Sequence, residues 1–167
     1  LSYNNLVNLT ESRKKDILAD RQINIDSMNR FIIDNVKNKN RLTIAIDFIP
    51  PLKHLNNAVR GVGYNRIFPD DDGIVRKYSM AANYDNNVYP SLITSMIADY
   101  YNTPKDKISI MPGKYLELQT GDSIINLPDN KSKNINYPVK IPLDDAGMMR
   151  INWVGAYKDT FKHLPFD

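Results

Sequence analysis

Residues 41–49 read Arg41-Leu-Thr-Ile-Ala-Ile-Asp-Phe-Ile49, and Pro50-Pro51 end the run. Apolar and β-branched side chains fill it almost without a break, the composition of a strand inside a sheet covered on both faces. Upstream, Asp26 is a good cap for a helix reaching about Asn38. Met28, Phe31, Ile32, Asn35 and Val36 keep the i, i+3, i+4 spacing of one buried face. A helix leading into such a strand is an α/β unit. Residues 1–24 are polar, and Asp16–Asp20 suit either a helical turn or a loop.

Downstream, a short helix is expected around Leu52–Val59, before Gly61. Gly63–Phe68 and Ile74–Met80 read as strands flanking Pro69-Asp70-Asp71-Asp72-Gly73. Pro presets φ, Asp caps the backbone and Gly accepts positive φ, so a hairpin is expected there. Tyr89-Pro90-Ser91 opens a helix to about Tyr101, with Leu92, Ile93, Met96, Ile97 and Tyr100 on one face. A second hairpin is expected from Lys114–Gln119 and Ser123–Leu127, and an exposed loop over Pro128–Pro138. Val139–Leu143 leads to the turn Asp144-Asp145-Ala146-Gly147 and a last strand, Met148–Val154. The fold class is therefore α/β, a single domain over 1–167 with a mixed β-sheet flanked by helices.

Composition narrows the function classes. The 167 residues suffice for one domain, and 42% hydrophobic content supports a core without staples. The net charge of +3 comes from 22 basic and 19 acidic residues, with no basic stripe of the kind a nucleic-acid surface needs. Cysteine is absent, which removes disulfides and thiolate metal sites. There is no apolar run of the length of a spanning helix and no signal peptide. The opening on Leu1 reads as a piece cut from a longer protein.

The densest acidic cluster is Asp70-Asp71-Asp72-Gly73, so metal binding is tested first. Fitting Asp70, Asp72 and Gly73 to the third, fifth and sixth places of an EF-hand loop puts Phe68 first and Ser79 last, and neither supplies the carboxylate required. A turn whose carboxylates cap backbone N–H groups and meet Arg76 is the plainer reading. A straight five-residue loop would set Arg76 opposite Arg66, so either a bulge shifts the register or an anion lies between them. An internal salt bridge is expected over a ligand held by paired arginines. His54 and His163 have no acidic partner at ligand spacing. Ser91 lacks a nucleophile elbow, and Gly61-Val-Gly63 lacks the third glycine of a dinucleotide loop. No catalytic residue and no cofactor is expected.

Read in order, five pieces form a recognisable string: Val62-Gly63-Tyr64, then Pro69-Asp70-Asp71-Asp72-Gly73-Ile74-Val75-Arg76-Lys77, then Tyr89-Pro90-Ser91-Leu92, then Ile141-Pro142-Leu143-Asp144 with Gly147, then Ile151-Asn152-Trp153-Val154-Gly155. The string resembles the second class of CHASE domain, the cyclase- and histidine-kinase-associated extracellular sensors, over about residues 20–160. The resemblance implies a bacterial extracytoplasmic sensory domain that is not itself an enzyme. It would be tethered to the membrane by helices of the full-length protein and joined to a cytoplasmic cyclase or kinase output. Expected partners are an unidentified small-molecule or protein signal and those membrane and output segments, with a homodimer left open and no nucleic acid. The residues carrying the motif, Gly63, Asp70, Asp72, Gly73, Arg76, Pro90, Ser91, Asp144 and Gly155, are expected to shape backbone rather than touch a ligand. Two other readings stand beside this one: an extracytoplasmic metal-dependent hydrolase built around Asp70–Asp72, and a dimerisation module without a ligand. The family opens with a strand carrying an acidic signature and a second apolar strand. Leu1–Ile25 carries neither, so that part is either missing here or diverged.

Overall fold

Thr10 starts the first helix despite its polar surroundings: its hydroxyl accepts the Arg13 N–H at 3.4 Å and caps α1 (Glu11–Ser27). The computed structural model describes residues 10–47, 49–120, 123–126, 132–135 and 138–152. α1 buries only Ile25, and it ends where the sequence suggested a helix would begin. The helix expected from Asp26 to Asn38 is replaced by one 3-10 turn, Asn29–Phe31, and the short strand β1 (Asn35–Val36). Met28 and Phe31 satisfy their spacing within that turn, where side chains three apart eclipse, and pack with Tyr89. Ile33 then turns into the main core.

The apolar run 41–49 does not form a doubly covered strand. Only β2 (Thr43–Ile44) pairs, parallel to β4 (Ala81–Tyr84) and at the edge of its sheet. Ala45 adds one bond, its N–H meeting the Asn83 carbonyl at 2.9 Å, and then the chain leaves the sheet. Ile44, Ile46 and Ile49 stay exposed, Ile46 at 95%. α2 (Lys53–Ala58) follows, as expected, and is tied to α1 by Asn24 accepting the Lys53 N–H at 2.6 Å.

The segment 63–68 is no strand of a hairpin either; it contributes a single bridge, Tyr64 to Ser91. β3 (Lys77–Ser79) pairs instead with β11 (Met148–Arg150), antiparallel. β4 returns as β5 (Asn87–Pro90) through Asp85-Asn86, both at positive φ, which is the two-residue turn that matches strand twist. Ser91 caps α3 (Leu92–Tyr100) by accepting the Thr94 N–H at 3.2 Å. The expected face of that helix is rotated. Thr94 and Ala98 are buried, with Ile93 and Ile97 packed beside the core, whereas Leu92, Met96 and Tyr100 are exposed.

The largest sheet is mixed and runs β1, β6 (Ile108–Met111), β7 (Tyr115–Leu118), β10 (Val139–Pro142). The second expected hairpin is corrected: β7 pairs with β6 and β10, while β8 (Ser123–Asn126) pairs with β9 (Ser132–Ile135), which lies inside the stretch read as a loop. Pro112-Gly113 supplies the β6–β7 turn, with Gly113 at φ +79°. Strand alternation puts Ile108, Ile110, Leu116 and Leu118 on one face, almost fully buried against Ile33, Met80 and Val88. The architecture is α/β with mixed sheets and helices, as the sequence implied.

Candidate functional site

Three of the motif residues, Gly63, Pro90 and Ser91, build a joint at the start of α3. Gly63 lies so close to the backbone of Ser91 and Leu92 that an added Cβ would sit 2.3 Å from both. That approach lets Tyr64 exchange backbone bonds with Pro90 and Leu92, at 3.1 and 2.9 Å. The Tyr64 hydroxyl then donates to the Ser79 carbonyl at 2.8 Å, and burial raises its pKa well above the ordinary tyrosine value. Thr94 donates to the Met80 carbonyl at 2.6 Å, and the same carbonyl accepts the Ser91 N–H at 3.0 Å. Pro90 closes β5 one residue before the cap. Every group in this joint holds backbone.

The two acidic turns share one backbone design. At 70–74 the Gly73 N–H meets the Asp70 carbonyl at 2.8 Å and the Asp70 N–H meets the Ile74 carbonyl at 3.0 Å, with Gly73 at φ +78°. At 144–148 the corresponding bonds are both 2.9 Å, with Gly147 at φ +72°. Adjacent cations clamp them. Arg76 reaches Asp70 at 2.9 Å and Asp72 at 2.7 Å; Lys77 reaches Asp144 at 2.8 Å. The Arg76 guanidinium holds the Asp72 carboxyl below the usual carboxylate range. Partial burial pushes the Asp144 carboxyl up, yet Lys77 and the N–H groups of Met148 and Ala146 outweigh it and hold it low. Arg66 takes no part and lies over the Phe68 ring at 5.2 Å. Among the described residues no group of three or more His, Cys, Asp or Glu side chains is placed to hold a metal ion. Gly155 lies outside the described residues.

Among the described residues a concave surface lies elsewhere. A cleft of about 360 Å³ opens between the C-terminal half of α3 and the segments 30–31, 59–61 and 103–105. Ile33, Ala98 and Ile108, all buried, form its floor. One wall is made by the end of α3. Asn102 takes φ +50°, its N–H bonds the Asp99 carbonyl at 3.0 Å and the Thr103 N–H bonds the Ala98 carbonyl at 2.7 Å. This left-handed helix cap folds Thr103, Pro104 and Lys105 back beside Ala98 and Asp99. The other wall carries Arg30 and Arg60. Arg30 donates to the Val59 carbonyl and stacks 4.5 Å from the Phe31 ring centre; Arg60 pairs with Asp99 at 2.9 Å. Thr103 is 6% exposed and its hydroxyl has no hydrogen-bond partner among the described residues.

Of the described motif residues only Pro90 lines this cleft. Nothing local in the sequence marks Arg30, Arg60 and Lys105, since three segments distant in sequence have to meet before they line one cleft. The one local signal was Asn102-Thr-Pro104, a helix stop. In comparison with known proteins, no curated protein and no solved structure matches the chain. A family model does, the CHASE2 domain, over residues 4–167.

Proposed function

The chain belongs to the CHASE2 domain family, and from that premise we propose that it is the sensing part of a bacterial transmembrane receptor. CHASE2 domains are extracellular sensory domains, not catalytic ones. The observation carrying this reading is the family match across nearly the whole chain, supported by the described motif residues serving turns, a helix start and the ion pairs that clamp them. Within the proposal, membrane helices of the full-length protein hold the domain outside the cytoplasm, and the domain biases a cyclase or kinase output. A signal does so only by binding one arrangement of the receptor more tightly than the other.

The chain has no cysteine, which makes location easy to test. Ile46, 95% exposed, is replaced by Cys in the full-length protein, and spheroplasts are treated with a membrane-impermeant maleimide. The proposal expects labelling of the Ile46→Cys protein, above the parent, without permeabilisation. Labelling that requires lysis would overturn it. No helix among the described residues is long and apolar enough to cross a membrane, so the tether belongs to the full-length protein in this proposal.

A further inference from the structure

We propose that the cleft beside the C-terminal end of α3 binds a small organic carboxylate with an apolar body. The inference rests on the sensory reading for its biological purpose and on the cleft alone for its chemistry. Three cations, Arg30, Arg60 and Lys105, line the cleft against one carboxylate, Asp99. The Arg60–Asp99 pair is 77% and 50% exposed, so it is weak and its guanidinium is available to a second anion. Arg30 is oriented by Phe31 and Val59, and its bond to the Val59 carbonyl uses one of five N–H donors. A guanidinium held this way presents a planar fork that fits two carboxylate oxygens. The buried, unpartnered Thr103 hydroxyl on the opposite wall gains a partner from a ligand oxygen seated beside it. Beneath these groups Ile33, Ala98, Ile108 and Pro90 offer an apolar floor. A volume of about 360 Å³ is at the small end of ligand pockets, which run from about 300 to 1,000 Å³, so the ligand is small. A bare inorganic anion would leave the floor unused, and a neutral molecule would leave the excess positive charge unanswered.

The test uses sodium 4-methylpentanoate, the neutral amide of the same shape, and inorganic phosphate, each titrated into the chain by calorimetry and by thermal melting. The carboxylate is expected to bind and to raise the melting midpoint by about 3 °C near saturation. The amide and phosphate are expected to do neither. The Arg60→Gln/Lys105→Gln double variant, altered only at exposed positions, is expected to melt like the parent and to bind the carboxylate about tenfold more weakly. Thr103→Val is expected to keep its melting temperature and lose affinity. No binding of the carboxylate, equal binding of the amide or of phosphate, or undiminished binding by the double variant would overturn the proposal. Failure here is separate from failure of the sensory reading, which is judged by location in the full-length protein.

Discussion

Two glycines 10 residues apart constrain the chain by different physics, and their replacement separates the two. Gly63 needs space: any Cβ meets the Ser91 and Leu92 backbone at 2.3 Å. Gly63→Ala is therefore expected to cost about 3 kcal/mol in urea denaturation, because backbone has to move. Gly73 needs only its left-handed φ of +78°, with nothing within 4 Å of an added Cβ. Gly73→Val is expected to cost about 1–2 kcal/mol; an unchanged melting temperature would count against that turn geometry. Asp144 gives a pH signature. Its folded-state carboxyl is held low by Lys77 and two backbone N–H groups, so its contribution is present above the ordinary carboxylate range and is lost as pH falls through the folded value. Asp144→Asn should cost about 1 kcal/mol at pH 7, a modest figure because the pair is partly exposed, and the difference from the parent should close in acid.

At the level of the element, local chemistry was easier to read in the sequence than pairing. Caps and turns came through: Ser91 begins a helix, Asp70–Gly73 and Asp144–Gly147 bend the chain, and 53–58 is helical. These depend on residues within four positions of each other. Strand partners depend on distant chain, so the two strands of the hairpin expected from 114–127 each pair elsewhere, β7 with β6 and β10 and β8 with β9. The run 41–49 misled for a related reason. Its composition fits a central strand, but among the described residues strand pairing ends at Ala45 and the isoleucines face outward. Ile46→Ser should consequently leave thermal stability within about 0.5 kcal/mol of the parent, where a buried strand position would lose several. The rotated face of α3 has its own cause: two small residues, Thr94 and Ala98, allow close approach to the sheet, with Ile93 and Ile97 packed beside them, while Leu92, Met96 and Tyr100 turn outward. Asn102 at the end of that helix should tolerate Gly, whereas Asn102→Val is expected to cost about 1–2 kcal/mol in its left-handed position.

For the molecule as a whole, one main cluster joins the large sheet to β3–β5 and α3, with Leu116 and Met80 fully buried inside it. Leu116→Ala should lower the stability of the entire domain by about 3 kcal/mol, seen alike in circular dichroism and in fluorescence from the buried tyrosines. The cleft sits at the margin of this cluster and was invisible in the sequence, because its walls come from residues near 30, 60 and 104 that only the finished fold assembles. The twin turns differ in one practical respect. Gly147 is pressed against Leu42 and Pro112, whereas the tip at Gly73 has open space around it. The loop at 71–73 is thus the natural place to splice in an epitope or a small fluorescent reporter. Lengthening an exposed tip costs little chain entropy and meets no packed neighbour, while the same insertion at 145–147 would press on Leu42.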